Sequence, residues 1–395
     1  MQLSRFNSLL VLTVIANVGM GIIMPVLPVY FRQYGVSAIE LSGPFVMLVI
    51  GRMVSRGFAP VLITKMGHRK AVMGCFAIYA ATFAAYLGAD SLSYFSALRF
   101  LEGLVEGLLA VALSDLAIAY TVGMSSTERT RLMGRFGASF GLGFLLGPLL
   151  GSGIAWLFGL KAIFVVGAML GVGAIFLSVW MVSDAPAQAK SVAAGSLKGH
   201  GLLLGLYSPQ LLRRAVFFSL MILLPQYVID QLGMDVHDAG LLFAGSALLT
   251  MVLMPQAGLW AEKLGVTRAI WTGLAVMTVS FVLMGLTRNA VVFCVLFAIE
   301  TIAFALMLPP AMAVFGSAVD SQATRTRILG NMAFATEVIT LPLAVVLPWT
   351  YARSAALSWM IVALLCLAVV ALFLLSSRAL ARRQAVATHQ SLKVI

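Results

Sequence analysis

Residues 65–71 read Lys65-Met66-Gly67-His68-Arg69-Lys70-Ala71, and 198 positions later the chain reads Lys263-Leu264-Gly265-Val266-Thr267-Arg268-Ala269. Two further pairs fall on nearly the same diagonal. Gln33-Tyr34-Gly35 returns as Gln231-Leu232-Gly233 at the same offset. Arg129-Thr130-Arg131-Leu132-Met133-Gly134 returns as Arg325-Thr326-Arg327-Ile328-Leu329-Gly330 at an offset of 196. In a chain of 395 residues these offsets are half the length. Three anchors at corresponding points of two halves indicate an internal duplication.

What lies between the anchors is apolar. Hydrophobic residues make up 61% of the chain and charged residues 10%, against roughly 45–50% and 25% in a soluble domain. That balance excludes a water-soluble fold and a disordered chain. A secreted disulfide scaffold is excluded because Cys75, Cys294 and Cys366 all sit inside apolar runs. A spanning helix needs ~20 apolar residues. Twelve such runs can be read, at 6–31, 41–62, 71–88, 93–121, 136–158, 162–182, 213–232, 239–260, 269–286, 291–317, 328–350 and 357–377. The first continues straight into Pro25 and Pro28 without a small-residue cleavage site, so it reads as a helix and not as a signal peptide.

The expected fold is therefore an all-α polytopic membrane protein with 12 transmembrane helices in two six-helix, pseudo-symmetric halves. The first half covers residues 1–182. A cytoplasmic linker rich in Ala, Gly, Ser and Lys covers 183–212, and the second half with its basic tail covers 213–395. The net charge of +12 reads as a topology signal. With both termini in the cytoplasm, nineteen of the 26 lysines and arginines fall on the cytoplasmic side, four fall outside, and Arg52, Arg56 and Arg99 lie within helices. This is the positive-inside bias, and it argues against nucleic acid as a partner. Parallel six-helix repeats place a substrate site near the bilayer midplane, between the halves.

The chain resembles the major facilitator superfamily, and within it the twelve-helix drug:proton antiporters, over nearly its whole length. The first run carries Gly19-Met20-Gly21-Ile22-Ile23-Met24-Pro25-Val26-Leu27-Pro28-Val29-Tyr30, similar to that family's first-helix motif. The fourth carries Arg99-Phe100-Leu101-Glu102-Gly103, close to R-x-x-Q-G with Glu102 in place of Gln. The fifth carries Gly134, Gly143, Gly147, Pro148 and Gly151 at the spacing of the antiporter motif G-x8-G-x3-G-P-x2-G-G, departing from it at Ser152. The loop after the second run also departs. Pro60 and Thr64 replace the Gly and Asp of G-x-L-x-D-R-x-G-R-K, whereas Gly67 and Arg69 remain, and the second copy keeps an acid in Glu262 before Gly265. The gate this loop supports in the family is accordingly expected to lean on Glu262 and Gly265.

A charge at the hydrocarbon centre costs ~2.5–3.5 kcal/mol on insertion scales and marks a candidate functional residue. Seven are placed there: Arg52, Arg56, Arg99, Glu102, Glu106, Glu300 and Glu337, with Asp115 at the border. At ~100° per residue, Arg99, Glu102 and Glu106 share a ~60° arc of one helix, and Asp115 faces the other way. Two carboxylates four residues apart repel, so one is expected to hold a proton, while Arg99 acts in the opposite sense. These three and Glu300, the repeat counterpart of Glu102, are the candidate proton-coupling residues; the competing structural roles are a static Arg99–Glu102 pair and a hydrogen bond from Glu300 to a nearby polar side chain. The resemblance implies a cavity lined by the first, fourth, seventh and tenth helices, with Asn17, Glu102 and Glu300 as candidate substrate contacts. It places Arg52, Arg56 and Glu337 at the interface between halves, as a gate; contact of Arg52 with an anionic substrate is the alternative.

Enzyme chemistry finds no support. His68, His200, His237 and His389 fall in loops or tails without a cysteine at metal-ligand spacing, and no phosphate-binding glycine loop is present. No metal or cofactor is expected, the ion gradient being the energy source. The expected function is secondary transport by alternating access, as proton-coupled export of a small amphiphilic molecule or metabolite. Alternatives are a proton symporter or facilitator for a small nutrient, and an exporter of an anionic metabolite such as a siderophore. A membrane-embedded transferase lacks a catalytic set, and a non-transporting sensor is the remaining rival. The expected setting is a monomer in a bacterial cytoplasmic (inner) membrane, its partners being lipid, protons and substrate.

Overall fold

The computed structural model describes residues 2–121, 124, 126–182, 201–317 and 322–392. Linker residues 183–200 lie outside the described residues. So do the side chains of Glu262, of the Arg129-Thr130-Arg131 and 325–330 anchors, and of the tail from residue 380.

Fourteen α-helices carry the chain: α1 (Gln2–Ile22), α2 (Leu27–Gln33), α3 (Ser42–Met66), α4 (His68–Tyr86), α5 (Leu92–Ala119), α6 (Ser126–Phe158), α7 (Ala162–Met181), α8 (Gly201–Asp230), α9 (Val236–Leu253), α10 (Ala257–Leu264), α11 (Val266–Leu286), α12 (Ala290–Ser317), α13 (Gln322–Tyr351) and α14 (Ala355–Leu392). No strand occurs among the described residues. In lipid only helices satisfy every backbone polar group within one segment. The helices coincide with the twelve apolar runs, because two runs are interrupted. The first breaks at residues 23–26 around Pro25, and Pro28 then sits in the first turn of α2, where its missing N–H costs nothing. The eighth breaks at Pro255 into a short 3₁₀ turn, Met254–Gln256, before α10. Helix α8 begins at Gly201, twelve residues before the expected boundary, so the second part of the expected linker is helical.

Nine helical segments among the described residues are long and apolar enough to cross a membrane unaided. Helix α5 falls short because its ionisable residues leave no sufficiently apolar stretch, and α4 because it opens on His68-Arg69-Lys70. The part of α13 with described side chains, Ala335–Tyr351, is apolar but shorter than a span.

The duplication is visible in backbone geometry. Gly35 and Gly233 have φ of 77° and 65°, and Gly67 and Gly265 have φ of 80° and 82°. These left-handed conformations suit glycine alone. Gly67 ends α3 and starts α4; Gly265 does the same for α10 and α11. Helix pairing repeats as well. Helix α3 packs on α5 and α4 on α7, and correspondingly α10 packs on α12 and α11 on α14.

The chain forms two compact units. One comprises Met1–Ser191, Leu220–Leu248 and Leu341–Arg353; the other comprises Val192–Ser219, Leu249–Thr340 and Ser354–Ile395. In the first, α3 and α5 touch backbone to backbone. A Cβ on Gly51 would strike the carbonyl of Phe100, and one on Gly103 would strike the carbonyl of Leu48. In the second, a Cβ on Gly273 would meet Met307 and one on Gly285 would meet Trp359. Small residues at helix crossings allow this approach. Gly103→Val should therefore force α3 from α5 and lower the melting temperature of the purified protein by several degrees. Gly57→Ala, on a face where a Cβ meets nothing within 4 Å, should leave it unchanged or raise it slightly.

Candidate functional site

Helix α5 presents Arg99, Glu102 and Glu106 on one face, as their spacing requires. Arg99 is 2% and Glu102 4% exposed, and the Arg99 guanidinium donates to Glu102 Oε2. The same guanidinium lies 5.8 Å from the Phe45 ring centre on α3, a cation–π contact. One turn further along α5, Glu106 Oε2 accepts from Arg52 of α3 at 3.3 Å. Each carboxylate thus has an arginine beside it. Helix α3 supplies the second cation because the glycine crossing brings it close. Ser55, whose hydroxyl donates to the Arg52 carbonyl at 3.2 Å, is buried beside Gly107, where a Cβ would collide with it.

Glu102 and Glu106 line a cavity inside the first unit. Its walls are Ile15, Ala16, Gly19, Met20 and Ile23 of the first run, Phe76, Tyr79 and Phe83 of α4, Val105 and Leu109 of α5, and Leu170 and Gly171 of α7. This cavity lies among the first, third, fourth and sixth runs. Asn17 is not among its lining residues. Its amide nitrogen donates to the Thr13 carbonyl at 2.7 Å, and its Cβ faces Gly143, so it belongs to the contact between α1 and α6.

That contact explains the antiporter spacing. Gly143, Gly147 and Gly151 recur every fourth residue and face α1, where added Cβ atoms would meet Asn17 and Val14, Gly21 and Val18, and Ile22 respectively. Gly134, by contrast, has open space at its Cβ. Pro148 sits inside α6, and its carbonyl accepts from Ser152 at 2.6 Å. The departure at Ser152 is accommodated by α9, where Gly240 leaves room for that hydroxyl.

Glu300 is buried in the second unit on α12, with the Thr301 hydroxyl 3.5 Å from its Oε2. Glu337, on α13, is buried with the Thr340 hydroxyl 3.4 Å from its Oε2. Arg56 is half-buried on α3, and Arg69 is half-buried at the start of α4.

Two pairs escaped the sequence reading. His68 was expected in a loop, but it is the first residue of α4, 1% exposed, with Nε2 2.8 Å from Asp115 Oδ2. This links the α3–α4 junction to α5, at the loop where the family acid is replaced by Thr64, whose hydroxyl bonds its own helix at the Pro60 carbonyl, 2.8 Å away. Asp115 facing away from the other α5 charges was the available signal. At the opposite end of the spans, Arg32 donates to both oxygens of Asp230 at 2.8 and 2.7 Å, and the Tyr351 hydroxyl donates to Asp230 at 3.2 Å. These residues are 198 positions apart, which is the repeat offset, and opposite charges at equivalent positions were legible. Nearby, Asp235, His237 and Asp238 cluster at the start of α9, where Asp238 accepts the Asp235 N–H at 2.9 Å, an ordinary helix-start role.

The sequence model of the Major Facilitator Superfamily matches residues 9–220 and again 206–394, once per half. The tetracycline resistance protein, class D, of Salmonella ordonez is 28% identical over 346 residues, covering 83% of this chain and 85% of that protein. The quinolone resistance protein NorA of Staphylococcus aureus is 23% identical over 180 residues, covering 46% of this chain and 45% of its own. The solved structure of a variant of the nucleoside transporter NupG superposes with a TM-score of 0.74 at 14% identity, covering 93% of this chain and 100% of that one.

Breaking a buried pair strands a charge, whereas replacing both partners removes the desolvation cost. Arg99→Met should thus destabilise the protein by about 3–5 kcal/mol, and adding Glu102→Met should recover most of that loss. Melting of the purified variants in detergent checks this. Equal melting points for the single and double variants would contradict it.

Proposed function

The chain belongs to the Major Facilitator Superfamily, and on that premise we propose that it is a proton-coupled exporter of a small amphiphilic molecule, working by alternating access. Its setting is a bacterial cytoplasmic membrane with both termini in the cytoplasm, where the basic residues concentrate. It acts as a monomer, without a cofactor.

The observation that carries this reading is the double pair on α5. Arg99–Glu102 and Arg52–Glu106 keep four charges in the middle of the spans, where each is costly. A static bundle is served as well by apolar packing. A carboxylate held beside a cation can take a proton and release that cation, a change of net charge able to bias a two-state bundle. The likeness to tetracycline and quinolone resistance proteins supports export. The small-residue contact between α1 and α6 supplies a close-packed surface along which helices can move together.

The Arg32–Asp230–Tyr351 clasp joins the first helical run of one half to the first helix of the other at the outer end. Opening to the outside would part it, and closing would remake it. The pair is partly exposed, so its strength is modest, about 0.2–1 kcal/mol, which suits a contact that forms and breaks each cycle.

Inverted membrane vesicles test the function. Acidifying the lumen should drive uptake of tetracycline or a quinolone, a protonophore should abolish it, and Glu102→Gln with Glu106→Gln should remove the proton-driven component. Uptake that persists unchanged in the double variant overturns the coupling. In the same assay Asp230→Arg, which sets two arginines face to face, should slow transport. Adding Arg32→Asp, which restores the pair with its signs exchanged, should recover it.

A further inference from the structure

We propose that the cavity beside Glu102 and Glu106 is an internal water site, in which water bound between Glu102, Glu106 and the Tyr79 hydroxyl relays a proton apart from the substrate's path. This rests on the proton-coupled reading and specifies where the proton travels.

Size sets the ligand class. The cavity leaves about 20 Å³ for the centres of water-sized molecules. One water needs roughly 10–15 Å³ by that measure, and pockets for drug-sized ligands are about 300–1,000 Å³. An amphiphilic substrate does not fit; one or two waters do.

Polar partners are the second requirement, since a buried water makes about 2–4 hydrogen bonds. Glu102 Oε1 and Tyr79 Oη have no hydrogen-bond partner among the described residues. Both side chains are more than nine-tenths buried, and both line this cavity, as does Glu106. Each such atom left unpaired loses its hydration without replacement, and a shared water relieves both. The packing holds the phenol there. A Cβ on Gly19 would collide with the Tyr79 hydroxyl, and one on Gly171 would come 2.9 Å from the Tyr79 ring. Two glycines, from α1 and α7, thus hold the ring between them.

The groups facing Glu102 are Arg99 and Glu106 on its own helix, Tyr79 and Tyr86 on α4, and Arg52 on α3 through Glu106. From α1 and α7 the walls are apolar. The step conserves atoms and charge. Protonated Glu106 gives its proton to the water while the water passes one of its own to the Glu102 carboxylate, forming a new O–H bond there. The water is restored, and Tyr79 keeps its proton throughout, orienting the water by hydrogen bonding. Taking up that proton weakens the hold of Glu102 on Arg99, while Glu106, now ionised, regains Arg52, so the relay moves the unpaired cation from one arginine to the other.

Infrared difference spectroscopy on the full-length protein in lipid nanodiscs, stepped in pH without substrate, tests this. The wild type should show a carboxyl C=O band that titrates and vanishes in Glu102→Gln. It should also show a bound-water O–H band that moves in H₂¹⁸O. Tyr79→Phe should lose the water band and shift the carboxyl band, while melting like the wild type. Ala16→Leu, which fills the cavity with every polar group intact, should lose the water band too, and it decides the matter if Tyr79→Phe does not fold. A wild type without an ¹⁸O-sensitive band, or a folded Tyr79→Phe with both bands in place, overturns the proposal. Because no transport is measured, a present water site with no proton-driven export in vesicles would sink the export reading alone.

Discussion

A charge surrounded by hydrocarbon has to bring its own solvent, and in this chain it does so with another side chain or a backbone carbonyl. Arg99 holds Glu102, and Arg52 holds Glu106. Buried hydroxyls such as Thr13, Ser152 and Thr278 turn back onto carbonyls of their own helices. The rule reaches beyond local comfort, because it dictates which helices must touch. Glu106 can be served by Arg52 only if α3 lies against α5, and that contact exists because Gly51, Gly103 and Gly107 put no side chain between the backbones. Electrostatics and packing are therefore one constraint on this pair of helices. Enlarging a glycine there disturbs the ion pair as surely as removing an arginine would.

Much of the architecture was legible from the residues, for physical reasons. Membrane helices are long and apolar, and the duplication kept its glycines at Gly35, Gly67, Gly233 and Gly265, where the backbone adopts left-handed φ. The shared face of Arg99, Glu102 and Glu106 followed from helical periodicity. The partners across helices did not, because periodicity says which way a residue points and not what stands opposite. Arg52 was read as a gate residue, and its bond to Glu106 depends on a crossing set by glycines on two helices. His68 looked like a loop residue because it follows Gly67, whereas that glycine is a one-residue joint between two helices and His68 starts the second. Likewise the antiporter spacing reads as a motif, yet physically it separates into Gly143, Gly147 and Gly151, which α1 approaches, and Gly134, which it does not.

The pair Arg32–Asp230 shows what duplication permits and what it forbids. Residues at equivalent positions of two repeats touch only where the axis relating those repeats passes between them. At such a place a charge copied into both halves faces itself, and like charges in contact repel. A charged residue can persist in both copies only if one changes sign. Arg32 and Asp230, separated by the repeat offset and bonded through both carboxylate oxygens, meet that condition. Glu102 and Glu300, by contrast, keep the same residue in both halves. Yet their surroundings differ. Glu102 has Arg99 on its own helix, whereas the position equivalent to Arg99 is Phe297, and the neighbour of Glu300 is the Thr301 hydroxyl. The two halves thus hold one acid in one place and give it unlike company: a neutralising cation in the first, and a neutral donor in the second.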